Sequence, residues 1–377
     1  MSRRLAPRDT PFVRMYGRFI GLVLTAAACT ISTAACTTSA PAVTPAPSPT
    51  EFVIPTRSPK PSPTAFSGHY GFLVAGPTGY VVRSESTGTP LGTIDLAGGA
   101  VSPDGRLFAG WTRTTPADLR IVDVANTAQS SRVLTLPAGE RGGALAWSTD
   151  GTGIVYSAES VAVANSGLVP AYSALRLVAI TKTGSAEGAP KEVGRFDALV
   201  LRPGSWDRLG GDLVTALGVL PGTASEYIVV RGADSPQRRP LPDRQWQDVP
   251  AVSGDGRWVV MAASKQQLVR WFRADDPTFV VETHGELTSG GASALGRPGE
   301  DSAQVGVVLD RAFVLFDGET GARSRVPTSE GVDAIVGWRF DGSAAVIRQG
   351  TQLSLLEIGS WNQTKISGEV RFGVRLP

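Results

Sequence analysis

Val101-Ser102-Pro103-Asp104-Gly105-Arg106 reads as a tight turn, and related turns recur at Ser148-Thr149-Asp150-Gly151, Ser253-Gly254-Asp255-Gly256-Arg257 and Arg339-Phe340-Asp341-Gly342. Each copy lies between two short apolar runs. Pro presets a turn value of φ, Asp offers its carboxylate to neighbouring backbone N–H groups, and Gly takes the positive φ of a tight hairpin. A single Asp-Gly pair means little. Four of them between apolar strands mean that one small β unit is built repeatedly. Asp104, Gly105, Asp150, Gly151, Asp255, Gly256, Asp341 and Gly342 are therefore expected to be structural turn residues.

The spacing counts the units. Asp104 and Asp150 are 46 residues apart, Asp150 and Asp255 are 105 apart, and Asp255 and Asp341 are 86 apart. Each long interval is about two propeller blades of roughly 40–50 residues. Degenerate turns at 201–207 and 296–301 would fill the two gaps. The 44 Gly and 27 Pro suit frequent turns and short strands. Before the first turn, residues 70–96 hold three strand-like runs, and Val370-Arg371-Phe372-Gly373-Val374-Arg375-Leu376 supplies a fourth at the other end. The expected fold is an all-β propeller of four-stranded blades over 67–377. Seven blades are expected, six whole and one shared by the two ends, with a six-bladed ring as the alternative. An open array would leave bare sheet edges.

The N-terminus reads as an address. Residues 1–35 hold Arg3, Arg4, Arg8, Arg14 and Arg18 against Asp9, followed by an apolar run from Phe19 to Ala28. A basic stretch, an apolar stretch and small residues before a cleavage point make a secretory signal. Thr33-Ala34-Ala35-Cys36 resembles the bacterial lipobox, in which the signal is cut before a cysteine that then carries lipid. Cys36 is the expected lipidation site and Cys29, after Ala26-Ala27-Ala28, the alternative. An uncleaved anchor or an ordinary secretory signal also remains open. Residues 36–66 are rich in Pro, Ser, Thr and Ala, with Pro-Ser-Pro-Thr at 47–50 and 61–64. Such a segment cannot bury a core and forms an extended tether.

Composition excludes several chemistries. The only cysteines are Cys29 and Cys36, so the body offers no disulfide, thiol nucleophile or cysteine metal site. His69 and His284 are the only histidines, too few for a His-based triad or multi-His centre. Residues 1–35 carry +4 of the chain's +2, so the remainder carries 2 − 4 = −2. A near-neutral body is not an electrostatic nucleic-acid binder. No hydrolase elbow, zinc-protease motif or phosphate loop is present, and no metal or cofactor is expected. The segment at 253–258 resembles a sialidase Asp-box with a different spacing, and the turn accounts for it. Asp275-Asp276 and Glu300-Asp301 read as solvated loop carboxylates.

Eight Trp all follow residue 110. Trp111, Trp147, Trp258 and Trp338 flank the turns and are expected in blade packing. Trp246 lies in the irregular stretch Arg238 to Asp248, with Arg238, Arg239 and Arg244. Trp206 lies near Arg202. Trp and Arg are enriched at binding hot spots, so these six residues are the candidate binding set.

Val101 to Ala109 resembles the Ser-Pro-Asp-Gly-Arg repeat of bacterial TolB-like, WD-repeat-like propeller proteins, and the resemblance covers about residues 70–377. It implies structural, not catalytic, Asp-Gly turns. It also implies an envelope protein that serves as an interaction platform. The expectation is a non-enzymatic propeller, anchored outside the cytoplasm as a lipoprotein, that binds a protein or glycan partner. The alternatives are an extracytoplasmic hydrolase or lyase using channel carboxylates, and a sensor or accessory subunit of an envelope complex.

Overall fold

In the computed structural model, the structure describes residues 69–376 apart from 165–168, 182–183, 209–211, 220–225, 241–250, 253–257, 264–267, 274–279, 285–286, 296–303, 318–321, 340–342 and 367–369. The signal-like segment with Cys29 and Cys36, the tether, Arg244, Trp246 and the turns at Asp255-Gly256 and Asp341-Gly342 lie outside the described residues.

The described residues form 28 β-strands and no helix. The strands make seven antiparallel sheets of four. One sheet joins β1 (His69–Ala75), β2 (Tyr80–Ser84) and β3 (Pro90–Ile94) to the last strand, β28 (Val370–Leu376). The other six are meanders in chain order. The first holds β4 (Ala97–Val101), β5 (Leu107–Trp111), β6 (Asp118–Asp123) and β7 (Ser130–Thr135). The second holds β8 (Glu140–Trp147), β9 (Gly153–Ser160), β10 (Tyr172–Ala179) and β11 (Lys191–Asp197). The third holds β12 (Val200–Asp207), β13 (Leu213–Val219), β14 (Glu226–Arg231) and β15 (Gln237–Pro240). Next come β16 (Ala251–Val252), β17 (Trp258–Ala263), β18 (Leu268–Arg273) and β19 (Val280–His284). They are followed by β20 (Leu287–Leu295), β21 (Gln304–Leu309), β22 (Ala312–Asp317) and β23 (Arg323–Arg325). The last meander is β24 (Ala334–Trp338), β25 (Ala344–Gln349), β26 (Gln352–Glu357) and β27 (Gln363–Ile366).

The first strand of each sheet contacts the first strand of the next, in the order β28, β4, β8, β12, β16, β20, β24 and back to β28. This closed cycle of radial four-stranded sheets is a β-propeller. It explains why many strands read as continuous apolar runs instead of alternating ones: neighbouring sheets cover both faces. Leu73 packs with Phe108 and Val122 on one side, while Phe72 and Val74 pack with Val346 and Leu355 on the other. All eight residues of β9 are buried.

Tryptophans tie adjacent sheets. Trp111 donates through Nε1 to the Gly143 carbonyl at 2.8 Å, and Trp147 to the Ala100 carbonyl at 3.0 Å. A Cβ on Gly142 would sit 2.2 Å from the Trp111 ring, so only glycine admits the indole there. The first strands also carry β-bulges, at Ala97/Ala100 in β4, Gly142/Leu145 in β8 and Leu287/Ala292 in β20. Each spans a Gly-Gly pair, where the backbone departs from a regular ladder at little steric cost.

Both described Asp-Gly turns join the first and second strands of a sheet. Ser102 Oγ and the Arg106 N–H donate to Asp104 Oδ1, at 2.6 and 3.1 Å. Ser148 Oγ and the Thr152 N–H donate to Asp150 Oδ1, at 2.6 and 3.0 Å, and Thr152 Oγ1 donates to Oδ2 at 2.7 Å. Gly105 and Gly151 take φ of 76° and 71°. Partial burial would raise the Asp150 pKa, but Ser148, Thr152 and Arg208 together hold it below the usual carboxylate range. Asp150→Ala removes three hydrogen bonds to a charged group. The expected loss is about 1–2 kcal/mol in urea unfolding near pH 7. Because the native pKa is depressed, this contribution is present at neutral pH and fades as pH falls through the native value.

One turn assignment is corrected. Residues 201–207 are not a turn but the body of β12, bulged at Pro203/Ser205. The connection to β13 falls later, between Asp207 and Leu213, where Asp212 takes a φ of 56°. The bulge accommodates Pro203, which has no N–H for a regular ladder.

Candidate functional site

Sheet β8–β11 carries a dense polar cluster. Arg176 on β10 stands opposite Tyr156 of β9 and Glu192 of β11. Its Nη1 and Nη2 donate to Glu140 Oε2 and Oε1 at 2.5 and 2.8 Å, and its Nε and Nη2 to Glu192 Oε2 at 3.1 Å. Tyr172 donates to Glu140 at 3.0 Å, and Arg195 forks onto Glu192 while lying over the Tyr172 ring. The Glu140 side chain is 5% exposed and that of Arg176 is 12% exposed. The Arg195 and Arg176 guanidiniums hold the Glu192 carboxyl below its ordinary range despite partial burial. Burial pushes the Tyr156 phenol up to about 12. Both carboxylates are held by arginine, so the cluster is arranged as a rivet across strands and not as a free acid–base pair.

An open cleft of about 320 Å³ lies between the sheet shared by the chain ends and the sheet of β24–β27. Phe72, Val74 and Ile366 are its apolar lining. The loop from β2 to β3 contributes Ser84, Ser86 and Thr87, and two cations, Arg83 and Lys365, reach it from opposite walls. Arg83 Nη1 donates to the Gly88 carbonyl at 2.9 Å, while its Nε is enclosed without a hydrogen-bond partner. The cleft's carboxylate, Glu85, is held by Arg339: Nε donates to Glu85 Oε2 at 2.9 Å and Nη2 to Oε1. The Arg339 side chain is 9% exposed and its guanidinium lies 4.1 Å from the Tyr70 ring centroid. Burial alone would lower the Arg339 pKa, and Glu85 reverses that so the charge is kept.

The residues singled out by sequence lie elsewhere. Trp206 is a correction to the candidate binding set, because it is 6% exposed and cannot present its ring to a partner. The indole lies against Gly153 of the neighbouring sheet, where an added Cβ would meet it at 2.3 Å, and its Nε1 donates to Asp212. Arg208 lies over that ring and donates to the Thr152 carbonyl, locking one Asp-Gly turn to the next sheet. Arg202 is exposed on β12. Arg238 and Arg239 lie on β15, at the opposite edge of the same sheet. Arg238 is exposed, pairs with Glu226 at 2.6 Å and lies 5.9 Å from the Phe196 ring centroid. Arg202 and Arg238 therefore do not form one patch. The sequence reading missed the cleft. Its one local signal was the Ser84-Glu85-Ser86-Thr87-Gly88 turn, which reads like any polar loop.

No protein-family model matches the chain, and no curated protein matches it. Solved structures do. TolB from Acinetobacter baumannii is 13% identical over 83% of this chain and 67% of its own, with a TM-score of 0.44. Oligogalacturonate lyase from Vibrio parahaemolyticus is 13% identical over 75% of this chain and 84% of its own, at 0.49. A functionally unknown protein from Desulfotomaculum acetoxidans is 9% identical over 82% of this chain and 99% of its own, at 0.52. The fold is a β-propeller. At such identities the likeness concerns fold alone, and activity has to be argued from this chain's own residues.

Proposed function

We propose that this chain is a non-enzymatic binding propeller, held outside the cytoplasm by a lipid on Cys36, that captures a protein or glycan partner at the bacterial envelope. The observation that carries the binding reading is where the carboxylates go. Asp104 and Asp150 are bonded within their own turns, and Glu140, Glu192 and Glu85 are held by arginines. A carboxylate engaged in this way stabilises a platform and is not free to move protons. The anchoring reading rests on the basic and apolar stretches before Thr33-Ala34-Ala35-Cys36, and on a Pro-rich tether that holds the body off the membrane. No helix among the described residues is long and apolar enough to cross a membrane.

Cys36→Ala in the full chain is expected to move the protein from the membrane fraction to the soluble extracytoplasmic fraction. An uncut signal on the unsubstituted chain would establish an uncleaved anchor instead. Capture of envelope components is expected to drop when Trp246 and Arg244 are both changed to alanine. Unchanged capture would remove the stretch from Arg238 to Asp248 from the binding surface.

A further inference from the structure

The cleft between the end-sharing sheet and sheet β24–β27 has an unbalanced charge. Among the described residues, neither Arg83 nor Lys365 forms an ion pair, and Arg339 neutralises Glu85. Two cations therefore face one concavity whose own counter-charge has been withdrawn, on a body whose net charge is negative. Low-dielectric walls focus such a field, and an oxyanion between the cations relieves their repulsion.

We infer that this cleft binds an oxyanion carried on a sugar-sized ligand, with Arg83 and Lys365 as its charge partners. The Arg83 bond to the Gly88 carbonyl fixes the guanidinium before any ligand arrives, so little side-chain entropy is lost on binding. Phe72, Val74 and Ile366 in the lining suit the apolar face of a sugar ring, and Ser84, Ser86 and Thr87, bonded among themselves and to the loop backbone, add hydroxyls to it. At about 320 Å³ the cleft is at the small end of ligand pockets, matching a compact solute better than an extended chain. Its walls come from opposite ends of the sequence and meet because β28 pairs with β1. The inference narrows the binding reading to one ligand class at one place. Partner capture through residues 238–248 is measured separately, so either can fail alone.

The test is calorimetric titration of the detergent-solubilised full chain with glucuronate, glucose 6-phosphate and glucose. Saturable binding of at least one charged sugar is expected, with glucose at least about tenfold weaker, and the tighter of the two acids tells carboxylate from phosphate. Affinity should fall as salt rises. Lys365→Gln, at an exposed position, is expected to weaken binding about tenfold with an unchanged melting temperature, and Arg83→Gln at least as much. If Arg83→Gln fails to fold, Lys365→Gln decides. Absence of binding by both acids, equal binding of glucose, or indifference to Lys365→Gln would each overturn the inference.

Discussion

A chain that stops at Glu369 should lose cooperative folding of its body. The deleted strand, β28, pairs with β1 from His69↔Leu376 to Val74↔Val370. It also places Val374 and Leu376, 0% and 6% exposed, in the cluster of Leu73, Val82, Ile94 and Phe108. Burying two such side chains contributes about 3–6 kcal/mol, before the backbone ladder is counted. A typical domain has about 5–15 kcal/mol in all. Deletion also bares the β1 edge and removes the strand that bridges β24 and β4. An unpaired β1 is a template for association with other chains. The expected result is a broad or absent thermal transition together with aggregation. A sharp transition within about 2 °C of the intact chain would show that β28 does little for the ring.

The second large effect is expected at Arg176. Replacing it with alanine strands Glu140, 5% exposed, without the fork that neutralises it. Breaking a buried pair from one side costs about 3–5 kcal/mol, because the remaining charge stays desolvated. Urea unfolding at pH 7 measures this. Adding Glu140→Gln to the Arg176→Ala chain should recover part of the loss, since an amide is less costly to bury than an unpaired carboxylate. A loss below about 1 kcal/mol would mean that water reaches Glu140 and that the cluster is not a rivet. The Glu192 side of the cluster adds a pH dependence. Its carboxyl is held low first by Arg195 and then by Arg176, so its stabilisation persists through mild acid and fades as pH falls through that depressed value.

The all-β architecture was legible because turn chemistry is local. Asp, Gly and the flanking apolar runs need only their neighbours, and the spacing of Asp104 and Asp150 carries directly into the strand pairs β4–β5 and β8–β9. The role of the last strand was also legible, because three strands before the first turn lacked a fourth. Position 201–207 misled because Pro203 and Gly204 look like turn residues, whereas the chain absorbs them in a bulge. Trp206 misled because proximity to Arg202 in sequence says nothing about which face of a strand a ring takes. The cleft was illegible for a related reason. Arg83 and Lys365 are far apart along the chain and join one concavity through ring closure. Nor does sequence show that Arg339, in one of the recurring turns, reaches Glu85 in the first sheet.

The central claim is a ring closed by pairing of the two ends of the body in a defined register, with Tyr70 opposite Arg375. Beyond Cys29 and Cys36 the chain has no cysteine, so with those two changed to serine an engineered pair reports on that register directly. In the full chain, Tyr70→Cys with Arg375→Cys should oxidise to an intramolecular disulfide, seen as faster migration on a non-reducing gel. Directly opposed positions have Cβ atoms about 4.5–5.5 Å apart, so a small backbone shift brings them to the roughly 3.5–4.5 Å that a disulfide needs. Tyr70→Cys with Val374→Cys, one residue out of register and on the opposite face of the strand, should stay reduced. Free thiols in the first pair, or equal crosslinking of both, would contradict the closed ring.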